Sequence, residues 1–229
     1  MYGTLAGFQP SRYEVQSQAC ANFGIEVTPD GILRGYAAAD AYMSELNSLF
    51  PIRLRTADKR DEFFAEYERL VLSGSGVNIT AERALKIFRR LSQIPYKLVP
   101  FDDVAPTLKQ LKSRGLTLGL ISNIDRDSTE LAESLGLTAY LDLHVTSIEV
   151  GANKPDPAIF HAALTKAKAR SEETVHVGDQ PKSDIEGALT AGIRPVLLDR
   201  DGNHVDFTLC SRIESLLELP TLLEKLSAF

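Results

Sequence analysis

Four side chains in the second half of the sequence have types and settings suited to handling an anion. Ser122 follows the apolar run 116–121 (LTLGLI), and Lys154 lies in the loop Gly-Ala-Asn-Lys-Pro-Asp-Pro at 151–157. Asp179 follows the apolar run 174–177, with Asp184 five residues further on. A serine hydroxyl with neighbouring backbone N–H groups can hold a phosphate oxygen; the alternative is a turn or cap serine. Pro155 biases Lys154 towards an extended backbone. A stiff loop would then hold the ammonium where it neutralises a phosphate or a carboxylate nucleophile, the alternative being an ordinary solvated lysine. Gly178 allows the backbone close to a ligand. Two carboxylates converging on one loop suit Mg²⁺, a hard cation that takes oxygen ligands. For Asp184 alone, helix capping is an equally simple role. The order of these groups at successive strand ends points to phosphoryl or related anion chemistry.

The elements that must position them form two regions. From about residue 11 to residue 95 the apolar periodicity is helical throughout. One face carries Phe63, Phe64, Tyr67, Leu70 and Val71, a second Ala84, Leu85, Phe88 and Leu91. A third carries Tyr36, Ala39, Met43, Leu46 and Phe50, and a fourth Val15, Ala19 and Phe23. Breaks fall at Gly24, near Pro51 and across Ser73-Gly74-Ser75-Gly76. From about residue 100 helices and strands alternate. Asp102 or Asp103 can cap a helix running to Lys112, with Gly115 closing it. Strands are expected at 116–121, 141–145, 174–177 and 195–198, and helices at 127–135, 157–167 and 183–191, with a last helix holding Leu222, Leu223 and Leu226. Such alternation predicts an α/β fold with a parallel sheet, whose ligands bind beyond the carboxyl ends of the strands.

Composition narrows the function. Apolar residues make up 44% and charged residues 24% of 229 residues, enough for a self-sufficient core. The net charge is −6 and the basic residues are dispersed, which argues against nucleic acid as a partner. Two distant cysteines, Cys20 and Cys210, suit a reduced, cytoplasmic protein. No basic-then-apolar leader opens the sequence, and no apolar run reaches the roughly 20 residues needed to span a bilayer. The expected partner is a small anionic, phosphorylated substrate, with no membrane association and a monomeric or homodimeric state.

The segments LGLISN (118–123), NKPDPAIF (153–160) and HVGDQPKSDIEGALTAGI (176–193) resemble the second, third and fourth motifs of the haloacid-dehalogenase (HAD) superfamily of hydrolases. The resemblance covers nearly the whole chain. It implies a HAD-like Rossmannoid parallel sheet formed by 1–10 and 96–229, with a four-helix cap inserted at 11–95. It also implies an aspartate nucleophile at the end of the first strand and a covalent aspartyl intermediate that water cleaves. Carried over, Ser122 would bind the phosphoryl group and Lys154 would stabilise nucleophile and transferring group. Thr4 and Asn123 would contact substrate, Asn123 alternatively orienting its loop or the leaving group. Asp179 and Asp184, with the backbone carbonyl of Tyr2, would hold magnesium.

The match departs from the family at the N-terminus. Gly3-Thr4-Leu5 fits the end of the first motif, so the nucleophile position precedes Met1 and the first core strand is absent from the sequence. The favoured expectation is that Met1 is an internal methionine of a chain about ten residues longer, about one strand with its lead-in; the alternative is a catalytically dead truncated HAD-like protein. Tyr2 stands where the phosphatases carry an aspartate, and there it matches the haloacid dehalogenases, which need no metal. The Gly178-Asp179 pair favours the phosphatases, because a buried acidic pair without a cation is costly. Phe8 and Arg12 read as hinge or packing residues more readily than substrate contacts. His176 reads as a core histidine, and Asp125 and Asp127 as caps of the helix after Ser122.

Overall fold

The computed structural model describes residues 1–124 and 127–227. Asp125 lies outside them. The chain divides into two compact units, one of Phe8–Leu98 and one of Met1–Gly7 with Val99–Phe229. Strands β1 (Ala6–Gln9) and β2 (Lys97–Pro100), neither signalled by the helical periodicity, form a two-stranded sheet.

Local signals set the helices of the first unit. Ser11 and Glu14 make a reciprocal capping box at the start of α1 (Arg12–Ala21). Thr28 caps α2 (Pro29–Leu49) and Thr80 caps α4 (Ala81–Leu91), each hydroxyl accepting a backbone N–H. Between them lies α3 (Ala57–Ser73). The expected faces of Val15, Ala19, Ala39, Phe63, Tyr67 and Val71 are buried, joined by Ile32 and Ile87. Burial of each large side chain contributes about 1.5–3 kcal/mol. Phe50 departs from this pattern: it is 49% exposed, because α2 ends there and its backbone turns extended.

The second unit alternates helix and strand. Helix α5 (Val104–Ser113) leads to β3 (Gly119–Ser122), α6 (Ser128–Ser134), β4 (Leu143–Thr146), α7 (Ser147–Val150) and α8 (Pro157–Ala167). Then come β5 (Val175–Gly178), a π-helical turn at Pro181–Glu186, α9 (Gly187–Thr190), β6 (Arg194–Leu198), β7 (Ser211–Ile213) and α10 (Leu219–Ser227). All strand pairs here are parallel. Strand β3 pairs with β4 from Gly119 opposite Leu143 to Ser122 opposite Thr146. Strand β5 pairs with β6 from Val175 opposite Arg194 to Gly178 opposite Leu197, and β6 pairs with β7.

Three local expectations need correction. The strand expected at 116–121 begins only at Gly119, because Leu116 closes α5 by donating its N–H to the Leu111 carbonyl. The helix expected at 183–191 is split, because Asp184 and Ile185 both donate their N–H groups to the Gln180 carbonyl and so widen the first turn. Asp103 stands at the N-cap of α5 but makes no capping bond, its carboxylate being occupied elsewhere. Asp127 does cap α6, accepting from Thr129 and Glu130. Among the described residues no helix is long and apolar enough to cross a membrane.

Candidate active site

Strand β3 delivers Ser122, 5% exposed, to its carboxyl end, and β5 ends at Gly178 with Asp179 just beyond. Lys154 comes from the loop between α7 and α8, which starts at Gly151 and ends where Asp156 caps α8. Asn123 grips the backbone of Lys154 from both sides. Its Oδ1 accepts from the Lys154 N–H at 2.7 Å, and its Nδ2 donates to the Lys154 carbonyl at 2.8 Å. One amide thus fixes the main chain from which the ammonium projects.

The Lys154 ammonium is 7% exposed. It donates to Asp184 Oδ1 at 2.5 Å and to the Ile121 carbonyl at 3.4 Å. Asp184, 3% exposed, also takes His176 Nε2 at 3.1 Å and the Gln180 N–H at 3.0 Å. Burial pushes this carboxyl up, but the Lys154 ammonium and His176 outweigh it and hold the group well below the usual carboxylate range. Burial lowers His176 and so favours its neutral form, against the opposing pull of Asp184. Gly178 is what lets the carboxylate sit so close: a Cβ there would lie 2.2 Å from Asp184 Cγ.

Asp179 is partly buried and differently served. Thr4 Oγ1 donates to its Oδ1 at 2.5 Å, and Gln180 Nε2 donates to its Oδ2 at 3.1 Å. Burial and the neighbouring charge of Asp184 raise its carboxyl above the ordinary value. Its other neighbour is the turn at residues 1–6. Gly3 has φ +77°, a region L side chains rarely adopt, and a Cβ there would also strike the Asp179 carboxylate at 2.4 Å. Tyr2, in the same turn, bridges to Ala6.

Arg200 anchors that turn from β6. Its Nη2 donates to the Thr4 carbonyl at 2.9 Å, and its guanidinium forms a fork with Asp103 at 2.8 and 2.9 Å. Asp103 also accepts from Ser215 Oγ and the Leu216 N–H. This is where the expected cap carboxylate is used.

The fold therefore links Lys154, Asp184 and Asn123 into one cluster, and Thr4 and Asp179 into an adjoining pair. Ser122 stands at the same strand end as Ile121, whose carbonyl Lys154 touches. Phe8 and Arg12 belong to the helical unit. There Arg12 pairs with Asp40 at 2.7 Å and stacks on Tyr36, and Phe8 packs edge-on against Tyr96. Sequence reasoning missed Gln180 and Arg200 and saw His176 only as core. Arg200 lies two residues beyond the run 195–198, so the strand-end rule applied once more would have drawn attention to its segment.

Among the described residues no group of three or more His, Cys, Asp or Glu side chains is placed to hold a metal ion. The donors nonetheless suit one kind of metal. Asp179 is a shielded carboxylate with no lysine or arginine paired to it among the described residues. Mg²⁺ is commonly held through one or two carboxylates with its remaining positions filled by water.

Comparison with known proteins gives a consistent result. The chain is 38% identical over 127 residues to the haloacid dehalogenase-like hydrolase domain-containing protein 3 of Danio rerio, covering 54% of this chain and 52% of that protein. It is 34% identical over 134 residues to a phosphoserine phosphatase of Thermus thermophilus, covering 58% and 52%. The match spans about half the length of these curated relatives. Among solved structures, the HAD-hydrolase YfnB of Bacillus subtilis, bound to magnesium, superposes with a TM-score of 0.65 at 17% identity, covering 98% of this chain and 96% of that one; at that identity the likeness concerns the fold. A family profile described as haloacid dehalogenase-like hydrolase matches residues 4–192. With a profile match over most of its length and a fold to suit, the chain belongs to the haloacid dehalogenase-like hydrolase family.

Proposed function

We propose that the protein is a Mg²⁺-dependent phosphatase of a small phosphomonoester, working through an aspartyl-phosphate intermediate whose nucleophile precedes Gly3-Thr4-Leu5. The observation that carries this reading is the contrast between the two acids at the end of β5. Asp184 is neutralised by Lys154, while Asp179, beside it, has hydrogen bonds but no lysine or arginine paired to it among the described residues. A site that leaves one shielded carboxylate without a side-chain cation, next to a paired lysine, is suited to a cation and a phosphate together. The Thermus thermophilus relative, named a phosphoserine phosphatase, supports the same substrate class.

In this reading Asp179, with Asp184 and the Tyr2 carbonyl, holds Mg²⁺, which supplies charge neutralisation for a phosphoryl group. Ser122 binds a phosphoryl oxygen. Lys154 faces nucleophile and phosphate from a backbone that Asn123 has already fixed, so Asn123 acts as a positioning residue. Thr4 orients Asp179 and contacts substrate. The helical block 11–95 acts as a cap that selects substrate. The protein works in the cytoplasm, where Cys20 and Cys210 stay as thiols, as a monomer or homodimer without nucleic-acid partners.

The test is hydrolysis of an aryl phosphate by protein expressed with the natural coding sequence upstream of Met1. Hydrolysis should require Mg²⁺ and be lost in Asp179→Asn; activity that persists in chelator defeats the proposal. Tyr2 favours a second reading, a metal-independent haloacid dehalogenase. Halide release from a 2-haloacid, unchanged in Asp179→Asn, would establish it instead.

A further inference from the structure

Arg200 plays no part in the chemistry proposed above, yet it is bonded to the turn that carries Thr4. It lies two residues beyond β6, and its side chain is 17% exposed. Among the described residues its hydrogen bonds go to two partners. Nη1 donates to Asp103 Oδ2 at 2.8 Å and Nη2 to Asp103 Oδ1 at 2.9 Å, a planar fork on a carboxylate. Nη2 also donates to the Thr4 carbonyl at 2.9 Å. The guanidinium lies over the Phe101 ring, 4.3 Å from its centroid. Its Nε is buried with no partner.

Neutralising Asp103 does not account for this placement. That carboxylate already accepts from Ser215 Oγ at 2.8 Å and from the Leu216 N–H at 2.9 Å, and a lysine could supply the charge. A buried N–H left unpaired calls for a reason. The bond to Thr4 supplies one. Within the turn, Gly3 donates its N–H to the Ala6 carbonyl, and Leu5 and Ala6 donate theirs to the Met1 carbonyl. The carbonyls of Thr4 and Leu5 are held from outside it, by Arg200 and by the Phe101 N–H at 3.0 Å. Thr4 is therefore tied twice. Its carbonyl meets a fork that Asp103 holds in place, and its hydroxyl meets Asp179 Oδ1 at 2.5 Å.

We infer that Arg200 is a positioning residue for the metal carboxylate: it fixes the main chain of Thr4, and through the Thr4 hydroxyl it fixes the Asp179 carboxylate on which Mg²⁺ is received. It touches neither substrate nor metal and acts only through Thr4. The inference rests on the role proposed above for Asp179. Groups already held in their bound arrangement lose less freedom when a ligand arrives. With the clamp released, Mg²⁺ must order the Thr4 hydroxyl and the Asp179 carboxylate as it binds. The loss therefore falls on affinity for the metal, before any substrate is present.

The experiment measures Mg²⁺ binding by calorimetry, without substrate, on protein expressed with the natural coding sequence upstream of Met1. Arg200→Met should weaken binding about tenfold, a coupling of ordinary size within one hydrogen-bond network. In a Thr4→Val background the same change should weaken it by less than about twofold, because the hydroxyl that transmits the effect is gone. Ser215→Ala removes a donor from Asp103 without touching the bond to Thr4, and so tests for a merely structural role. It should lower stability in urea while keeping Mg²⁺ affinity within about twofold. If Arg200→Met does not fold, Arg200→Lys keeps a charge beside Asp103 but not the fork, and should weaken binding by about threefold or more. Unchanged affinity in the Arg200 variants, equal losses with and without Thr4→Val, or a matching loss in Ser215→Ala overturns the inference. So does a parent protein that binds no Mg²⁺. A parent that binds Mg²⁺ without hydrolysing aryl phosphate defeats the proposed phosphatase alone, and the affinity ratios still decide the role of Arg200.

Discussion

Each unit buries a carboxylate almost completely, and the two fare in opposite ways. Asp184 in the α/β unit is 3% exposed and Glu68 in the helical unit 1%. Asp184 has the Lys154 ammonium at 2.5 Å and is held well below its ordinary value. Among the described residues Glu68 has no paired cation; it accepts from the side-chain amide of Gln16, which is held in turn by the Tyr36 hydroxyl at 3.0 Å. Burial pushes Glu68 up to about 8, and the Gln16 hydrogen bond only partly opposes it. Equal burial thus gives one acid charged and the other neutral near pH 7. The deciding variable is a cation in contact, and the two units use it to different ends. The charged pair stands at a strand end, and the neutral acid stands among helices.

Removing the cation should break the contrast most severely. Lys154→Met leaves Asp184 buried and unpaired, and urea unfolding should show a loss of about 3–5 kcal/mol. A loss under about 1 kcal/mol would mean that His176 and the Gln180 N–H neutralise Asp184 sufficiently without Lys154.

The next effect belongs to Glu68 and is one of pH. Between its ordinary value of 4.5 and about 8, the folded protein keeps a proton that the unfolded chain releases. The unfolded state binds fewer protons in that window, so stability falls as pH rises through it and levels off above about 8. The slope is at most about 1.4 kcal/mol per pH unit, or about 2–3 kcal/mol between pH 5 and 7. Glu68→Gln should remove this slope and make the protein more stable than the parent at pH 8. Parallel pH profiles of denaturation for the two proteins would refute a neutral Glu68.

The smallest effect probes how Asp184 reaches its place. Gly178→Ala sets a Cβ against the Asp184 carboxyl carbon and should cost about 1–3 kcal/mol. The loss should shrink when Lys154→Met is already present, because the displaced carboxylate then has no ammonium to leave; a double-mutant cycle measures this coupling.

Strand and helix alternation was legible from residue 100 onward because each run was short, apolar and bounded by glycine or proline. The faces of α1, α3 and α4 were legible because their burial is one-sided, as Val15, Phe63 and Ala84 show. Strands β1 and β2 were not, since Ala-Gly-Phe-Gln and Lys-Leu-Val-Pro are not uniformly apolar runs and border the helical periodicity. Ser122 and Asp179 were found by their place after strands, Lys154 by its proline-bounded loop and Asp184 by its spacing from Asp179. What spacing could not give was their partnership: that Lys154 takes Asp184 rather than Asp179, or that Asn123 spends its amide on a backbone. Nor could it reveal the buried Glu68. Its burial depends on where Gln16 and Tyr36 arrive from other helices.

The widened turn at Pro181–Glu186 has a consequence for how this segment can change. An α-helix rotates about 100° per residue, and a π-turn accommodates one residue beyond that count. The extra residue lets a single segment serve two directions, with the Asp184 carboxylate facing Lys154 and Ile185 and Ala188 facing the core. Deleting any one residue from this turn would restore a regular helix and swing one of those sets away by about a quarter-turn. The loop's length is therefore as constrained as its composition: substitutions on its exposed side, such as at Glu186, are absorbed, whereas a one-residue gap is not.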